Sequence, residues 1–289
     1  MKNCNTKEPK TPRGIRLVAC VMALGMNFTV ALPQAAHADD VTPPPVPASR
    51  QKRFVPPAVF QAAGPKIASI QSTVDQYRAE LGEPNNGNQP GPLAGGRREI
   101  NWDGGGSADT SLGPTPFTVF LNSRGAQMTT PGTGFVQAPL DGLVATFGNP
   151  TYADIFQPFS LLRLFSAIES RVTVVDFFLP GSNGSIPALT AGFGLVLTDV
   201  DQPEGSSRRL FGSTIVEYFD VQGKLLYRGF APASPGDASV SFLGVVFDEP
   251  VIAHVRIRTG DDQPGGNDER RRDIVMMDDF IYGELVEIQ

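Results

Sequence analysis

From residue 97 onward the chain runs in short stretches of alternating apolar and polar residues, separated by clusters of Gly, Pro, Asn and Asp. A period of two is the signature of half-buried strands. It predicts strands over 98–103, 117–122, 172–179, 191–201, 214–220, 224–230, 239–247, 251–259 and 274–282. In 251–259, Val251, Ala253, Val255 and Ile257 alternate with Ile252, His254, Arg256 and Arg258, which gives one apolar and one largely polar face. Asp220-Val221-Gln222-Gly223 reads as the turn of a hairpin. Ahead of the strands the period changes. Ile67, Ile70, Val74, Tyr77 and Leu81 recur at helical spacing, with Pro65 suited to the first turn and Gly82 to the stop. This predicts one helix, over 65–82. Residues 83–96 are too rich in Gly, Pro and Asn for regular structure.

With no β–α alternation and no repeat of blade length, the pattern predicts an all-β fold over 65–289. Its expected form is an antiparallel two-sheet jelly-roll sandwich with one short N-terminal amphipathic helix.

The first residues change how the composition is read. Lys2, Lys7, Lys10, Arg13 and Arg16 precede a largely apolar stretch over 17–32, and Ala36-His37-Ala38 follows. Basic, apolar and A-x-A segments in that order predict a signal peptide over 1–38, cleaved near Ala38, with the mature chain secreted or periplasmic. The apolar stretch is shorter than the ~20 residues of a spanning helix, and no membrane span is expected in the mature chain. Residues 39–64, with Pro43-Pro44-Pro45-Val46-Pro47, read as a Pro-rich disordered linker.

The whole chain has 24 basic and 30 acidic residues. Removing 1–38 takes five basic residues and one acidic, which leaves 19 against 29, a net of −10. That disfavours nucleic acid and anionic membrane as partners. Cys4, Cys20 and His37 leave too, and His254 is the one histidine kept. The mature chain is therefore expected to have no disulfide, thiol nucleophile or two-histidine zinc site.

Candidate chemistry lies where carboxylates interrupt apolar strands. Asp199 and Asp201 follow Phe193, Leu195 and Leu197 on one face of a strand. Asp278 and Asp279 sit in an otherwise apolar run, where strict alternation sends them to opposite faces. A buried carboxylate needs a cation, strong donors or a proton. Ca²⁺ suits oxygen donors outside the cell, so these four residues are the candidate ligands of a structural Ca²⁺. The alternative is that Asp199 and Asp201 end a strand at the solvent, and that an Asp of the 278–279 pair accepts backbone N–H bonds or pairs with an arginine. Around the single tryptophan, Ile100 and Trp102 share one face, while Glu99, Asn101 and Asp103 share the other as a candidate ligand-binding set. Trp102 itself reads as core. His254 points outward with no Ser or Asp partner suggested by sequence, which speaks against a Ser-His-Asp triad.

Gly96-Arg97-Arg98-Glu99-Ile100-Asn101-Trp102-Asp103-Gly104, Thr130-Pro131-Gly132-Thr133-Gly134-Phe135, Gly192-Phe193-Gly194 through Thr198-Asp199-Val200-Asp201, and Met277-Asp278-Asp279-Phe280-Ile281-Tyr282-Gly283-Glu284 resemble uncharacterised exported bacterial jelly-roll proteins, some with PEP-CTERM-type sorting tails. The closing Asp-Asp-Phe strand is also similar to those of lectin-like and carbohydrate-binding modules, which implies a glycan ligand and a Ca²⁺ site. The expected function is an exported, non-catalytic binding or surface-interaction module for an extracellular glycan or cell-surface polymer. A polysaccharide-active hydrolase or lyase using two carboxylates, and a structural envelope or matrix protein, are the alternatives.

Overall fold

The computed structural model describes residues 55–104, 108–204, 214–266 and 272–288. The expected signal peptide and residues 39–54 of the expected linker lie outside them. In chain order the elements are β1 (Ala58–Gly64), α1 (Ala68–Leu81), β2 (Arg97–Ile100), β3 (Ser111–Gly113), α2 (Leu121–Arg124), β4 (Ala126–Thr129), β5 (Gly134–Ala138), α3 (Leu140–Phe147), α4 (Tyr152–Ile155), β6 (Leu164–Ile168), β7 (Val172–Phe177), β8 (Ala188–Leu189), β9 (Gly192–Thr198), β10 (Ile215–Phe219), β11 (Leu225–Phe230), β12 (Val240–Val246), β13 (His254–Arg258), β14 (Met276–Gly283) and β15 (Val286–Glu287).

The protein is mostly β and sandwich-like. One sheet has eight strands in the order β1-β12-β9-β14-β6-β5-β3, with β2 also on β14; the other has five, β11-β10-β13-β7-β4. Adjacent strands in both sheets run antiparallel. The shared core takes Phe135, Phe165, Phe193, Leu195, Leu243 and Phe280 from the first sheet, and Met128, Val175, Val216, Tyr218, Val255 and Ile257 from the second. Trp102 belongs to it, stacked on Phe165 at 3.8 Å and 2°. No helix among the described residues is long and apolar enough to cross a membrane.

The outer face of the larger sheet is covered. Ile70, Val74 and Tyr77 of α1 pack on Val196, Val240, Phe242 and Ile281. Leu143 of α3, with Tyr152 and Phe156, packs on Val136, Ala138, Leu164 and Met276. Gly194 and Gly244 are directly paired across β9 and β12, and together they leave a dimple for the Tyr77 ring. A Cβ on Gly244 would lie 2.6 Å from Tyr77 Cδ2. Gly244→Ala is therefore expected to lower stability by about 1–3 kcal/mol through overpacking, measured as the shift in urea midpoint. An unchanged midpoint would show that Tyr77 is not seated there.

Three local expectations are corrected. Residues 58–64 of the expected linker form β1, an edge strand held by its ladder to β12; its sequence is rich in alanine, so pairing rather than local propensity makes the strand. In 117–122 only Phe117 pairs, as an isolated bridge to Met128. The chain then turns into α2, which ends at Gly125 with φ 74°. A further helix, α3, appears over Leu140–Phe147, closed by Gly148 at φ 67°. Its short apolar run carries no period that separates helix from strand.

Candidate functional site

Asp278 and Asp279 do not point to opposite faces. Met277 pairs with Leu197 and Phe280 with Leu195, so the two aspartates together oppose Val196 in a β-bulge. Met277 and Phe280 both face the core, which leaves both carboxylates on the outer side between the two apolar caps. The extra residue of the bulge breaks the alternation that the sequence suggests.

A polar seam gathers around them. Asp278 accepts the Phe159 N–H at 2.6 Å and the Asp279 N–H at 2.8 Å. Ser160 Oγ lies 2.6 Å from Asp279 and 3.2 Å from Asp278. Arg78 Nη2 reaches Asp279 at 3.5 Å and Glu99 at 2.8 Å. Burial pushes Asp278 well above the usual carboxylate range, and the Asp279 charge adds to it. Burial raises Asp279 as well, opposed by the Ser160 hydrogen bond. Ser160 has one proton to donate; given to Asp279, it leaves the Asp278 contact to a proton on Asp278 itself. The arrangement suits a pair holding one proton between them.

Two of the candidate ligand-binding residues, Glu99 and Asp103, close on this seam. Glu99 is held by Arg78 and by Arg97 Nε at 2.7 Å. Asp103 accepts the Leu162 and Arg163 N–H groups at 3.2 and 3.0 Å. Asn101 is exposed, and its carbonyl lies 3.4 Å from Ser160 Oγ. The three do not share a strand face, because β2 ends at Ile100 and Trp102 takes φ 64°. A cavity of about 470 Å³ opens above Arg78, Arg97 and Glu99.

Asp199 and Asp201 lie apart from that seam, and they too fail to share a strand face. β9 stops at Thr198, and Asp199 adopts φ 67° with its N–H on Ser239 O at 3.0 Å. Asp201 meets a carboxylate that sequence reasoning missed, Asp273. The Asp201 N–H donates to Asp273 Oδ1 at 3.1 Å, and the Asp273 N–H donates to Asp261 Oδ1 at 2.9 Å. Asp273 is 1 % exposed, and its Oδ2 has no hydrogen-bond partner among the described residues. Burial first, then the Asp201 and Asp261 charges, pushes its carboxyl up to about 7. Among the described residues no three His, Cys, Asp or Glu side chains are gathered as a metal cage.

The other face is open. No helix among the described residues packs on the outer side of β11, β10, β13 or β7. Register places the residues of this side in rows. One row is Phe219, His254, Asp176 and Gln127; the next is Arg228, Glu217, Arg256, Val174 and Thr129. Phe219 and His254 stack at 5.0 Å and 18°, and Arg256 Cζ lies 5.4 Å from the Phe219 centroid. Asp176 stands opposite His254 on the neighbouring strand. Burial raises its carboxyl, and His254 draws it back down. Glu217 Oε1 accepts Arg228 Nε and Nη2 at 2.9 and 2.7 Å, and Oε2 accepts Arg256 Nε at 2.7 Å. Burial pushes Glu217 up, but these guanidinium hydrogen bonds outweigh it and hold the carboxyl below its ordinary value. The available signal for these rows was the polar alternation within each strand; the pairing between strands was not readable. A polar cavity of about 370 Å³ continues the face past Arg228 and Tyr227.

Comparison with protein-family models, curated proteins and solved structures returns no match for this chain.

Proposed function

We propose that this protein is an exported, non-catalytic binding module for an extracellular polymer, and that the open face of the five-stranded sheet is its ligand surface. The observation that carries the reading is the asymmetry of the two sheets. Helices cover the outer face of one, while the other presents cross-strand rows of half-buried polar and aromatic side chains. A wide, flat, polar surface on a rigid scaffold suits an extended chain with many hydroxyl groups better than a small molecule, which is held in a concave pocket.

The topology supports a jelly roll within this proposal. β6, β14, β9 and β12 are neighbours in one sheet, and β7, β13, β10 and β11 in the other. The chain crosses between sheets at β6–β7, β7–β9, β9–β10, β11–β12, β12–β13 and β13–β14, as two nested Greek keys require. The seam favours binding over hydrolysis, because Asp278 and Asp279 are 0 % and 2 % exposed, so a glycosidic bond has no access to the pair.

A structural Ca²⁺ belongs to the same proposal at the Asp201–Asp273 corner, supported by the buried Asp273 Oδ2, which has no hydrogen-bond partner among the described residues. Main-chain carbonyls and water would complete its six to eight oxygens. Melting temperature should rise with millimolar Ca²⁺ and fall with chelator; an unchanged melt rejects the ion.

The binding reading is tested with the full chain on immobilised polysaccharides. Retention is expected, and weaker retention for Phe219→Ala at unchanged melting temperature. Equal retention of wild type and variant would remove the open face from the reading.

A further inference from the structure

Charge on the open face is distributed against the grain of the chain. The chain as a whole carries a net −6, yet three arginines, Arg228, Arg256 and Arg258, converge on one carboxylate, Glu217. Neutralising one carboxylate needs one guanidinium. The cluster therefore holds more positive charge than the Glu217 carboxylate needs. Glu217 is itself 2 % exposed, while Arg228 and Arg256 are 52 % and 42 % exposed. Each of these two meets Glu217 through Nε and Nη2, which leaves Nη1 of each free of that carboxylate.

From this we infer that the face binds a carboxylate-bearing polysaccharide, with Arg228 and Arg256 as the donors to its uronate groups; the inference rests on the proposed binding face. Guanidinium forks match carboxylates in shape and charge. The two arginines sit on β11 and β13, with β10 between them, and their guanidiniums meet at the two oxygens of the Glu217 carboxylate. The row itself runs on across five strands, through Val174 to Thr129, which suits an extended chain rather than a single anion. The Phe219 ring is already stacked on His254 and carries Arg256, so the row offers charge more than a bare aromatic platform for neutral sugar.

The test uses the full chain with polygalacturonate and with the same polymer after its carboxyls are reduced to alcohols. Binding is expected to the first, weakening with salt, and to be lost on reduction. Arg256→Lys, which keeps the charge on Glu217 but not the fork, should weaken it roughly tenfold. Glu217→Gln, which removes the competing carboxylate, should tighten it. The opposite signs separate a ligand contact from a folding defect, and melting curves accompany both variants. Equal binding to the reduced polymer, or no change in either variant, overturns the acidic-ligand inference and leaves the binding face standing. Failure to bind either polymer overturns the inference, and if neutral polysaccharides are not retained either, the proposed function falls with it.

Discussion

Arg98→Met is expected to cost about 3–5 kcal/mol of stability, the range for breaking one partner out of a buried ion pair. Arg98 is 0 % exposed and forks onto Glu284, Nε to Oε2 at 2.9 Å and Nη2 to Oε1 at 2.8 Å. Its Nη1 donates to the carbonyls of Gly87 and Gln89 at 3.0 and 2.9 Å. Glu284 in turn accepts Asn86 Nδ2 at 2.6 Å and the Leu93 N–H at 3.2 Å. The pair therefore orders a Gly-, Pro- and Asn-rich segment that has no sheet ladder or helix of its own. In Arg98→Met the Glu284 carboxylate stays buried with only those two donors, and the segment loses two of its anchors. A lowered denaturant midpoint, with faster amide exchange at Leu93, is the expected result. The double variant Arg98→Met/Glu284→Leu should recover part of the midpoint without restoring slow exchange. A midpoint unmoved by Arg98→Met would show that the segment holds itself.

That segment illustrates what the residue pattern could and could not convey. Its composition correctly read as irregular, but irregular did not mean loose; the ordering comes from a residue on β2 and one just past β14, distant in sequence. The strand near His254 was legible from its period of two and the strand near Asp278 from its continuous apolar run, both local properties. Their chemistry was not. His254 reads as unpartnered along the chain, yet Asp176 stands opposite it once β13 lies on β7. Asp278 and Asp279 read as diverging until a bulge, which depends on the neighbouring strand, turns both outward. Asp273 follows Arg270-Arg271-Arg272 and along the chain reads as one charge of a solvent loop; burial and the approach of Asp201 and Asp261 make it unusual. Candidate residues were thus visible as residue types, while the pairs and clusters they form depend on register.

Asp273→Asn is expected to stabilise the protein at pH 8, measured in chelator. The carboxyl has an ordinary value of 3.8 and rises to about 7 in the fold. A group raised on folding gives its full stability below its unfolded value and loses it as pH climbs through the folded one. Asp273 is therefore best tolerated below about pH 4, and the fold pays for its charge above pH 7. The three-unit rise corresponds to on the order of 4 kcal/mol, an upper bound on what the asparagine gains at pH 8. Asp278 acts with the same sign, since burial raises it too. Glu217 acts oppositely: held below its ordinary value, it stabilises at neutral pH and loses that contribution in acid. Wild-type stability should fall between pH 4 and pH 8, and Asp273→Asn should flatten that fall. The same melts repeated in millimolar Ca²⁺ separate proton from cation. An ion on Asp273 favours the carboxylate, so wild type would gain stability by mass action and the asparagine variant would not, which narrows or reverses the difference between them. If the gap at pH 8 is the same with and without Ca²⁺, the corner holds a proton site only. If Asp273→Asn is destabilising in chelator, the carboxyl is ionised and satisfied in the fold, and the assignment of Asp273 as a raised, desolvated group is wrong.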